Sequence, residues 1–183
     1  MEPDNNAVLQ RARRGETAAA GELIEFYYAR VFAFLRRLSG NDADAADLTQ
    51  RAFNRAWQAL PTFAGRSSVN SWFHGIAYHV YVDWRRADRR AEPRSDEWWR
   101  GRADGAASPA ETVAQADLSA LIYSSVDALE PDLRETIHLH YYQGLTIDET
   151  ARAMDVATST VKYRARQALD ALQKKFAAEK NCA

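Results

Sequence analysis

Hydrophobic residues recur at the three- and four-residue spacing of amphipathic helices along most of the chain. Short polar runs, glycine and proline separate these segments, as at Ser39-Gly40-Asn41, Pro61 and Glu130-Pro131. The pattern predicts an all-α protein. Its longer helices are expected over residues 18–38, 42–60, 71–90, 118–129 and 133–145.

The helix predicted over residues 42–60 has two different faces. Asp42 is its expected N-cap, and Pro61 ends it. An apolar stripe is expected to lie in the core, and it consists of Leu48, Ala52, Phe53, Ala56, Trp57 and Leu60. The opposite face is polar and suits either a partner or solvent; it consists of Asp47, Gln50, Arg51, Asn54, Arg55 and Gln58.

Residues 146–172 have the pattern of two short helices joined by a tight turn. Thr146 and Glu149 form a capping box at the start of the first helix, and Thr158 or Ser159 starts the second. The second helix has a predicted apolar stripe at Val161, Ala165, Ala168, Leu169 and Leu172. Its outward side is polar and cationic, with Ser159, Lys162, Tyr163, Arg166 and Gln167 flanked by Thr160 and Arg164.

This pattern fits a helix-turn-helix, which lays the N-terminal part of its second helix in the major groove of DNA. An αα-hairpin with a solvated basic surface is the alternative. Residues 117–155 contain two basic and eight acidic residues, a net charge of −6, whereas residues 158–175 contain five basic and one acidic residue, a net charge of +4. Such segregation favours DNA binding, because phosphate attracts a cationic helix.

The helix predicted over residues 71–90 combines aromatic side chains with a cluster of arginines. Its aromatic residues are Trp72, Phe73, Tyr78, Tyr81 and Trp84, and its last six residues hold Arg85, Arg86, Arg89 and Arg90. The arginines could simply stabilise the helix dipole. Aromatic rings beside guanidinium groups also bind unstacked bases of single-stranded nucleic acid, so this segment is a second candidate interface.

Length and composition allow two small helical domains. The chain has 183 residues, of which 46% are hydrophobic, and a net charge of −1, so nucleic-acid binding must come from local patches. Residues 93–116 form a predicted linker rich in alanine, glycine, proline and charge, which separates domains at 1–92 and 117–183; the Trp98-Trp99 pair within it is unexpected. No secretory or membrane-spanning segment is present, so we expect a cytoplasmic protein without direct membrane insertion.

The sequence offers no catalytic, metal or cofactor motif. The single cysteine, Cys182, excludes a disulfide framework and a cysteine metal site within the chain. His138 and His140 are two residues apart, which on a helix directs them to different faces. We therefore predict a protein that is not an enzyme, with no catalytic residues, no metal and no cofactor.

Taken together, these segments resemble the extracytoplasmic-function (ECF) sigma factors of bacterial RNA polymerase, over nearly the whole chain. The region 2 core-binding helix of that family resembles Asp47-Leu48-Thr49-Gln50, Phe53 and Arg55-Ala56-Trp57. Its DNA-melting segment resembles Phe63, Gly65, Ser67-Ser68, Trp72, Ile76-Ala77, Asp83 and Arg85-Arg86. Its region 4 resembles Leu129, Pro131, Arg134, Tyr142, Gly144-Leu145, Glu149, Ala151 and 160–164.

The resemblance implies a subunit that binds core RNA polymerase and directs it to promoter DNA. The implied minus-35 contacts are Thr160, Lys162, Tyr163, Arg164, Arg166 and Gln167. The implied minus-10 contacts are Phe63, Ser67, Asn70, Trp72, His79, Arg85 and Arg86, and the implied polymerase contacts are Asp47, Gln50, Arg51, Asn54 and Arg55. An anti-sigma factor, membrane-bound in some systems, is a further implied partner. Without polymerase, the two domains are expected to move independently about the linker.

The chain departs from the family pattern at several positions, so its promoter preference is expected to be unusual. These positions are Arg51, Ala64, Arg66, His79, Ala165 and Gln167. Two other hypotheses remain open from sequence. One is an autonomous helix-turn-helix DNA-binding regulator; the other is a helical nucleic-acid enzyme or metal-dependent protein that uses His74, His79, His138 and His140.

Overall fold

The computed structural model of the protein describes residues 5–65, 67–91 and 121–180, and within these ranges the chain is helical without any strand. The predicted all-α fold is confirmed. The helices are α1 (Asn5–Arg13), α2 (Thr17–Ser39), α3 (Asp42–Ala59), a 3-10 turn (Leu60–Thr62), α4 (Val69–Ala91), α5 (described over 121–127), α6 (Pro131–Ile137), a π-helical turn (His138–Tyr142), α7 (Ile147–Met154) and α8 (Thr158–Lys180). The predicted linker 93–116, Trp98-Trp99, Cys182 and the side chains of Arg89 and Arg90 lie outside the described residues.

The N-terminal half, residues 5–91, is a bundle with α2 at its centre. This helix packs against α1, α3 and α4 because its apolar face is continuous along its length. Leu23, Tyr27 and Phe34 are buried on that face. The ring of Tyr27 stacks on Phe73 of α4 with 4.8 Å between centroids. Large aromatic side chains therefore fix the position of α4 in the bundle.

The turn between α2 and α3 corrects one prediction about capping. Gly40 has φ of +82°, a conformation that glycine adopts without steric cost, and its N–H donates to the Arg36 carbonyl. Asn41 then caps α3, because its side-chain oxygen accepts from the Asp44 N–H at 2.8 Å. Asp42 was predicted to be the cap and is instead the first helical residue.

The apolar stripe predicted on α3 is correct except at one residue. Leu48, Ala52, Ala56 and Leu60 are buried, but Trp57 is 48% exposed. At 100° per residue, Trp57 lies 180° around the helix from Leu48, so the core cannot enclose both side chains. An aromatic ring is thus left at the edge of the polar face.

The C-terminal half, residues 121–180, holds the helix pair predicted from the capping box. Its helices α6 and α7 both pack on α8, around a small core of Val126, Ile137 and Ala168. Leu169 was predicted to belong to the apolar stripe of α8 but is 46% exposed, because it lies at the edge of that stripe. None of the described helices combines the length and apolarity needed to cross a membrane.

The two halves are packed against each other, chiefly through α4 and α7. Leu139, Leu145, Ala153 and Met154 belong to the same buried cluster as the core of the N-terminal half. The sequence led us to expect independently moving domains. In the structure they share a core, because α7 and the preceding turn present apolar side chains to α4.

Candidate nucleic-acid interface

The helix-turn-helix begins with the predicted capping box. The Glu149 N–H donates to the Thr146 hydroxyl at 3.2 Å, and the Thr146 N–H donates to the Glu149 carboxylate at 3.0 Å. Asp155 ends α7 in the left-handed conformation, with φ of 53°. Its N–H still bonds back into the helix, so the chain turns sharply into α8.

The cationic side of α8 is exposed, as the sequence predicted. Lys162, Tyr163, Arg166 and Gln167 are exposed, while Val161 on the opposite side is fully buried. Gln167 donates to the Tyr163 hydroxyl at 2.7 Å, which holds these two side chains together one turn apart. The exposed face can therefore present both charge and directed hydrogen bonds to a groove.

The remaining two predicted minus-35 residues lie at the edge of this face. Thr160 is partly buried, and its N–H closes the first turn of α8 on the Ala157 carbonyl. Arg164 is partly buried and pairs with Asp132 of α6. Its charge is therefore shared with an acidic neighbour in this arrangement.

The second candidate interface is the loop before α4 together with the start of that helix. Phe63 is 7% exposed and its ring lies 4.8 Å from that of Trp72, which is itself partly buried. Ser67 is partly exposed. The Asn70 side chain donates to the Gln143 carbonyl at 2.8 Å. Phe63 is thus buried, and the side chain of the partly buried Asn70 is bonded to Gln143 rather than offered to a base.

The C-terminal part of α4 carries the other predicted minus-10 residues. His79 and Arg86 are exposed to solvent. Arg85 pairs with Glu135, which is fully buried and also accepts from the Tyr78 hydroxyl at 2.7 Å. Burial raises the pKa of the Glu135 carboxyl, while the Arg85 guanidinium acts against this rise. Burial and the same carboxylate raise the pKa of the Tyr78 phenol.

The polar face of α3 is exposed and contains all five predicted polymerase contacts. Asp47 pairs with Arg51 at 2.8 Å, and Arg55 pairs with Asp83 of α4 at 3.3 Å. Gln50 and Asn54 are among the residues that line a cavity of about 370 Å³. Apolar side chains of α2, α3 and α4 line it, among them Ile24, Phe53, Trp57, Leu60, Trp72 and Phe73. A polar helix face beside an apolar cavity suits a protein partner.

The four histidines do not come together as a site. His74 and His138 are buried in different helical segments, His79 is exposed, and His140 bonds the Leu145 carbonyl at 2.6 Å. In the part of the chain that the structure describes, no group of three or more His, Cys, Asp or Glu residues could hold a metal ion.

Contacts between the halves were not predicted from sequence. They join Ser68 to Glu149 at 2.6 Å, Asn70 to Gln143, and Glu135 to Tyr78 and Arg85. The pairs are separated by between 50 and 81 positions. The one available signal was Glu135 itself, an acidic residue between Leu133 and Ile137 in a predicted helix, because a carboxylate demands a partner when it is buried.

Two family models match the chain, one in each half. The model described as Sigma-70 region 2 matches residues 23–91, and the model described as Sigma-70, region 4 matches residues 119–172. The first match contains α3, α4 and the loop between them, and the second contains the helix-turn-helix. Both candidate DNA interfaces therefore lie within the matched segments.

Curated proteins are similar over most of the chain. The ECF RNA polymerase sigma-E factor of Escherichia coli (strain K12) is 28% identical over 177 residues, which cover 91% of this chain and 92% of that protein. The RNA polymerase sigma-H factor of Pseudomonas aeruginosa is 27% identical over 174 residues, covering 89% and 90%.

Two solved structures share the fold. One is CnrH in complex with the cytosolic domain of CnrY, with a TM-score of 0.68 at 20% identity, covering 95% of this chain and 97% of that chain. The other is the sigma factor RpoE in complex with the anti-sigma factor NepR from Bartonella quintana, with a TM-score of 0.70 at 22% identity, covering 84% and 94%.

Proposed function

The chain belongs to the extracytoplasmic-function sigma factors of the sigma-70 family, and on this premise we propose that it binds core RNA polymerase and directs it to specific promoters. The observation that carries the proposal is a region 2 match followed by a region 4 match within one chain. An autonomous helix-turn-helix regulator would need only the second half. It would give residues 23–91 no role.

In this function α8 recognises the minus-35 element. Lys162 and Arg166 supply positive charge to backbone phosphates, and the paired Tyr163 and Gln167 offer hydrogen bonds to base edges. Thr160 and Arg164 extend the contact at the edges of the helix. Arg164 must exchange Asp132 for a phosphate, and guanidinium forms charge-assisted, often bidentate hydrogen bonds with either anion.

The loop before α4 and α4 itself recognise the minus-10 element. Phe63 and Trp72 supply aromatic surface on which an extruded base stacks, and Ser67 and Asn70 supply hydrogen bonds. His79, Arg85 and Arg86 follow the strand along α4. Because Phe63 is buried and Asn70 and Arg85 are bonded to other residues of the chain, these contacts require a rearrangement first.

Core polymerase binds the exposed polar face of α3. Asp47, Gln50, Arg51, Asn54 and Arg55 offer both charges and amides on one side of this helix. The half-exposed Trp57 beside them supplies an apolar anchor of the kind that dominates protein interfaces. The protein contributes specificity and no catalytic step of its own. It acts in the cytoplasm, where transcription occurs.

The functional units are residues 1–92 and 117–183, joined by the linker 93–116. We assign polymerase binding and minus-10 recognition to the first unit, and minus-35 recognition to the second. Avidity then explains promoter choice, because two weak DNA contacts fixed at the correct spacing by polymerase act as one strong contact.

An anti-sigma factor is a further proposed partner. Both structures of shared fold are complexes, one of a sigma factor with an anti-sigma factor and one of CnrH with the cytosolic domain of CnrY. The apolar cavity beside α3 would accept side chains from such a protein and so compete with polymerase. We infer that this partner is membrane-bound, because one of the two structures contains the cytosolic domain of the bound protein.

Co-elution with core RNA polymerase of Escherichia coli in gel filtration tests the polymerase contact. We expect wild type to co-elute, and Gln50→Ala/Asn54→Ala to bind at least about tenfold more weakly, a loss of about 1.4 kcal/mol. Asp170→Ala, on the exposed side of α8, is the matched control and should bind like wild type. A wild-type protein that elutes alone contradicts the proposal.

A further inference from the structure

Tyr163 and Gln167 form a hydrogen-bonded pair on the exposed side of α8. They are four residues apart, so their side chains lie on neighbouring turns of one side of the helix. The Gln167 side-chain N–H donates to the Tyr163 hydroxyl at 2.7 Å. Tyr163 is 61% exposed, and Gln167 is exposed too. Because this bond lies at the surface, a DNA groove can reach both side chains.

The two cations of this face lie in a separate row. Lys162 and Arg166 each precede a member of the pair by one residue, and one residue corresponds to a rotation of about 100° around the helix. A helix about 10–12 Å across fills a major groove about 12 Å wide. One side of the helix then meets the base edges, while a neighbouring side meets the phosphates along the wall of the groove. Charge suits the phosphates, so the neutral pair is the row that faces the bases.

The bond to Tyr163 leaves Gln167 able to bind a base through two groups at once. A glutamine amide has two N–H donors and a carbonyl oxygen that accepts. Tyr163 engages one N–H, so the second N–H and the oxygen stay available. A tyrosine hydroxyl both donates and accepts, so it can hold the amide from either end, and in both cases a donor and an acceptor remain. Gln167 thus offers a donor beside an acceptor.

Adenine is the base whose major-groove edge matches these two groups. It presents the N7 acceptor beside the N6 amino donor, whereas guanine presents two acceptors, N7 and O6. Against guanine the Gln167 oxygen would face O6, and two acceptors cannot bond to each other. Cytosine offers only a donor, and thymine offers only an acceptor and a methyl group. A bidentate contact of this kind favours its own base by about 5- to 150-fold over the others.

Tyr163 contributes the orientation of the amide rather than the choice of base. An exposed glutamine loses side-chain freedom when it binds, and this loss weakens the contact. The bond to Tyr163 restricts the amide before DNA arrives, and a tyrosine side chain has itself little freedom to lose. Tyr163 is therefore a positioning residue for Gln167.

We propose that Gln167, positioned by Tyr163, recognises one adenine of the minus-35 element and makes that base a determinant of promoter choice. This inference rests on the proposed function, because it requires α8 to lie in the major groove of the minus-35 element. Lys162 and Arg166 then supply affinity for any sequence, while Gln167 supplies the preference for one sequence over another.

Run-off transcription with core RNA polymerase of Escherichia coli tests the assignment of the base. The template is a promoter that the full-length protein transcribes, and each minus-35 base pair is replaced in turn by the other three. Wild type should prefer A·T at one position by at least about fivefold. Gln167→Arg should move the preference at that position to G·C, because arginine donates to both N7 and O6 of guanine. Gln167→Ala should remove the preference at that position alone.

Gln173→Arg is the matched control. Gln173 is also an exposed glutamine of α8, and it lies about 9 Å further along the helix axis. This control adds the same positive charge as Gln167→Arg, so it can strengthen transcription from every template. It should leave the preference for A·T unchanged, which separates the effect of charge from recognition of a base.

A base preference that is the same for wild type, Gln167→Ala and Gln167→Arg would overturn the assignment. A wild-type preference for a base other than adenine, at the position that Gln167→Ala relaxes, would overturn it too. Absence of transcripts from every template with the wild-type protein would instead reject the proposed function, and the assignment with it.

Tyr163→Phe tests the positioning role on the same templates. Phenylalanine keeps the aromatic ring and removes the hydroxyl that holds the amide. We expect the preference for A·T to fall severalfold without moving to another base. In combination with Gln167→Ala, Tyr163→Phe should reduce the preference no further, because the two side chains act as one unit. An undiminished preference in Tyr163→Phe, or one that moves to another base, would contradict the positioning role.

Discussion

Two buried histidines make the folded protein sensitive to acid. Burial, with Arg30 nearby, lowers the pKa of His74 to about 4. Burial, with Arg134 and Arg37 nearby, lowers that of His138 to about 3. Between pH 6.5 and about 4 the unfolded chain therefore binds protons that the folded chain does not. The free energy of unfolding that depends on these two histidines is fully present above pH 6.5. Below that pH it falls by about 1.4 kcal/mol per pH unit for each histidine.

Urea unfolding at pH 7 and pH 5.5 measures this effect. His138→Gln removes one titrating group and should reduce the loss of unfolding free energy by about half. The raised pKa of Glu135 acts in the opposite direction, between the ordinary carboxyl pKa and its own raised value. Equal losses in wild type and His138→Gln would show that His138 is not buried in its neutral form.

Side-chain exposure could be predicted from sequence where the helical period was clear. The exposed side of α8, with Lys162 and Arg166, and the polar side of α3 follow directly from turning 100° per residue. The predicted burial of Trp57 and Leu169 was wrong, because each lies at the edge of an apolar stripe, where neighbouring helices decide burial. The burial of Phe63 and the bonds that Asn70 and Arg85 make within the chain also depend on neighbours and could not be predicted.

At the scale of helices, the stability of α7 depends on one hydroxyl group in its capping box. Thr146→Ala removes the acceptor of the Glu149 N–H and the hydroxyl that donates to the Glu149 carboxylate at 3.0 Å, while the bond from the Thr146 backbone N–H remains. We expect a loss of about 1 kcal/mol, or about 2–4 °C in the unfolding temperature for a chain of this size. Differential scanning calorimetry measures the shift.

Thr146→Ser keeps the hydroxyl and is the matched control, so it should unfold within about one degree of wild type. A Thr146→Ala variant as stable as the serine variant would contradict the role of the cap.

Helix boundaries were predictable where a cap or breaker is encoded, and less so elsewhere. Gly40, Pro61 and Thr146 mark real ends and starts. The continuation of α8 to Lys180 was missed, although no glycine or proline lies between Leu172 and that residue. The π-helical turn over His138–Tyr142 was also missed, because packing rather than local propensity selects that geometry.

At the scale of the whole molecule, sequence predicted two regions but not their contact. Glu135 meets Arg85 across 50 positions, and no local pattern specifies such a pair. The polar, proline-containing linker predicted free movement, whereas the contacts of Ser68, Gly75 and Glu135 hold the halves together. Family resemblance supplied the functional assignment, and the structure supplied the contact between the two halves.

The assignment as a promoter-specificity subunit is tested most directly by run-off transcription with purified core RNA polymerase on fragments of the genome that encodes the chain. Defined transcripts should appear only when the protein is added. Lys162→Ala/Arg166→Ala should reduce them at least about tenfold, because two phosphate contacts are lost. Transcripts that do not depend on the protein, or that are unaffected by this double substitution, would contradict promoter recognition through α8.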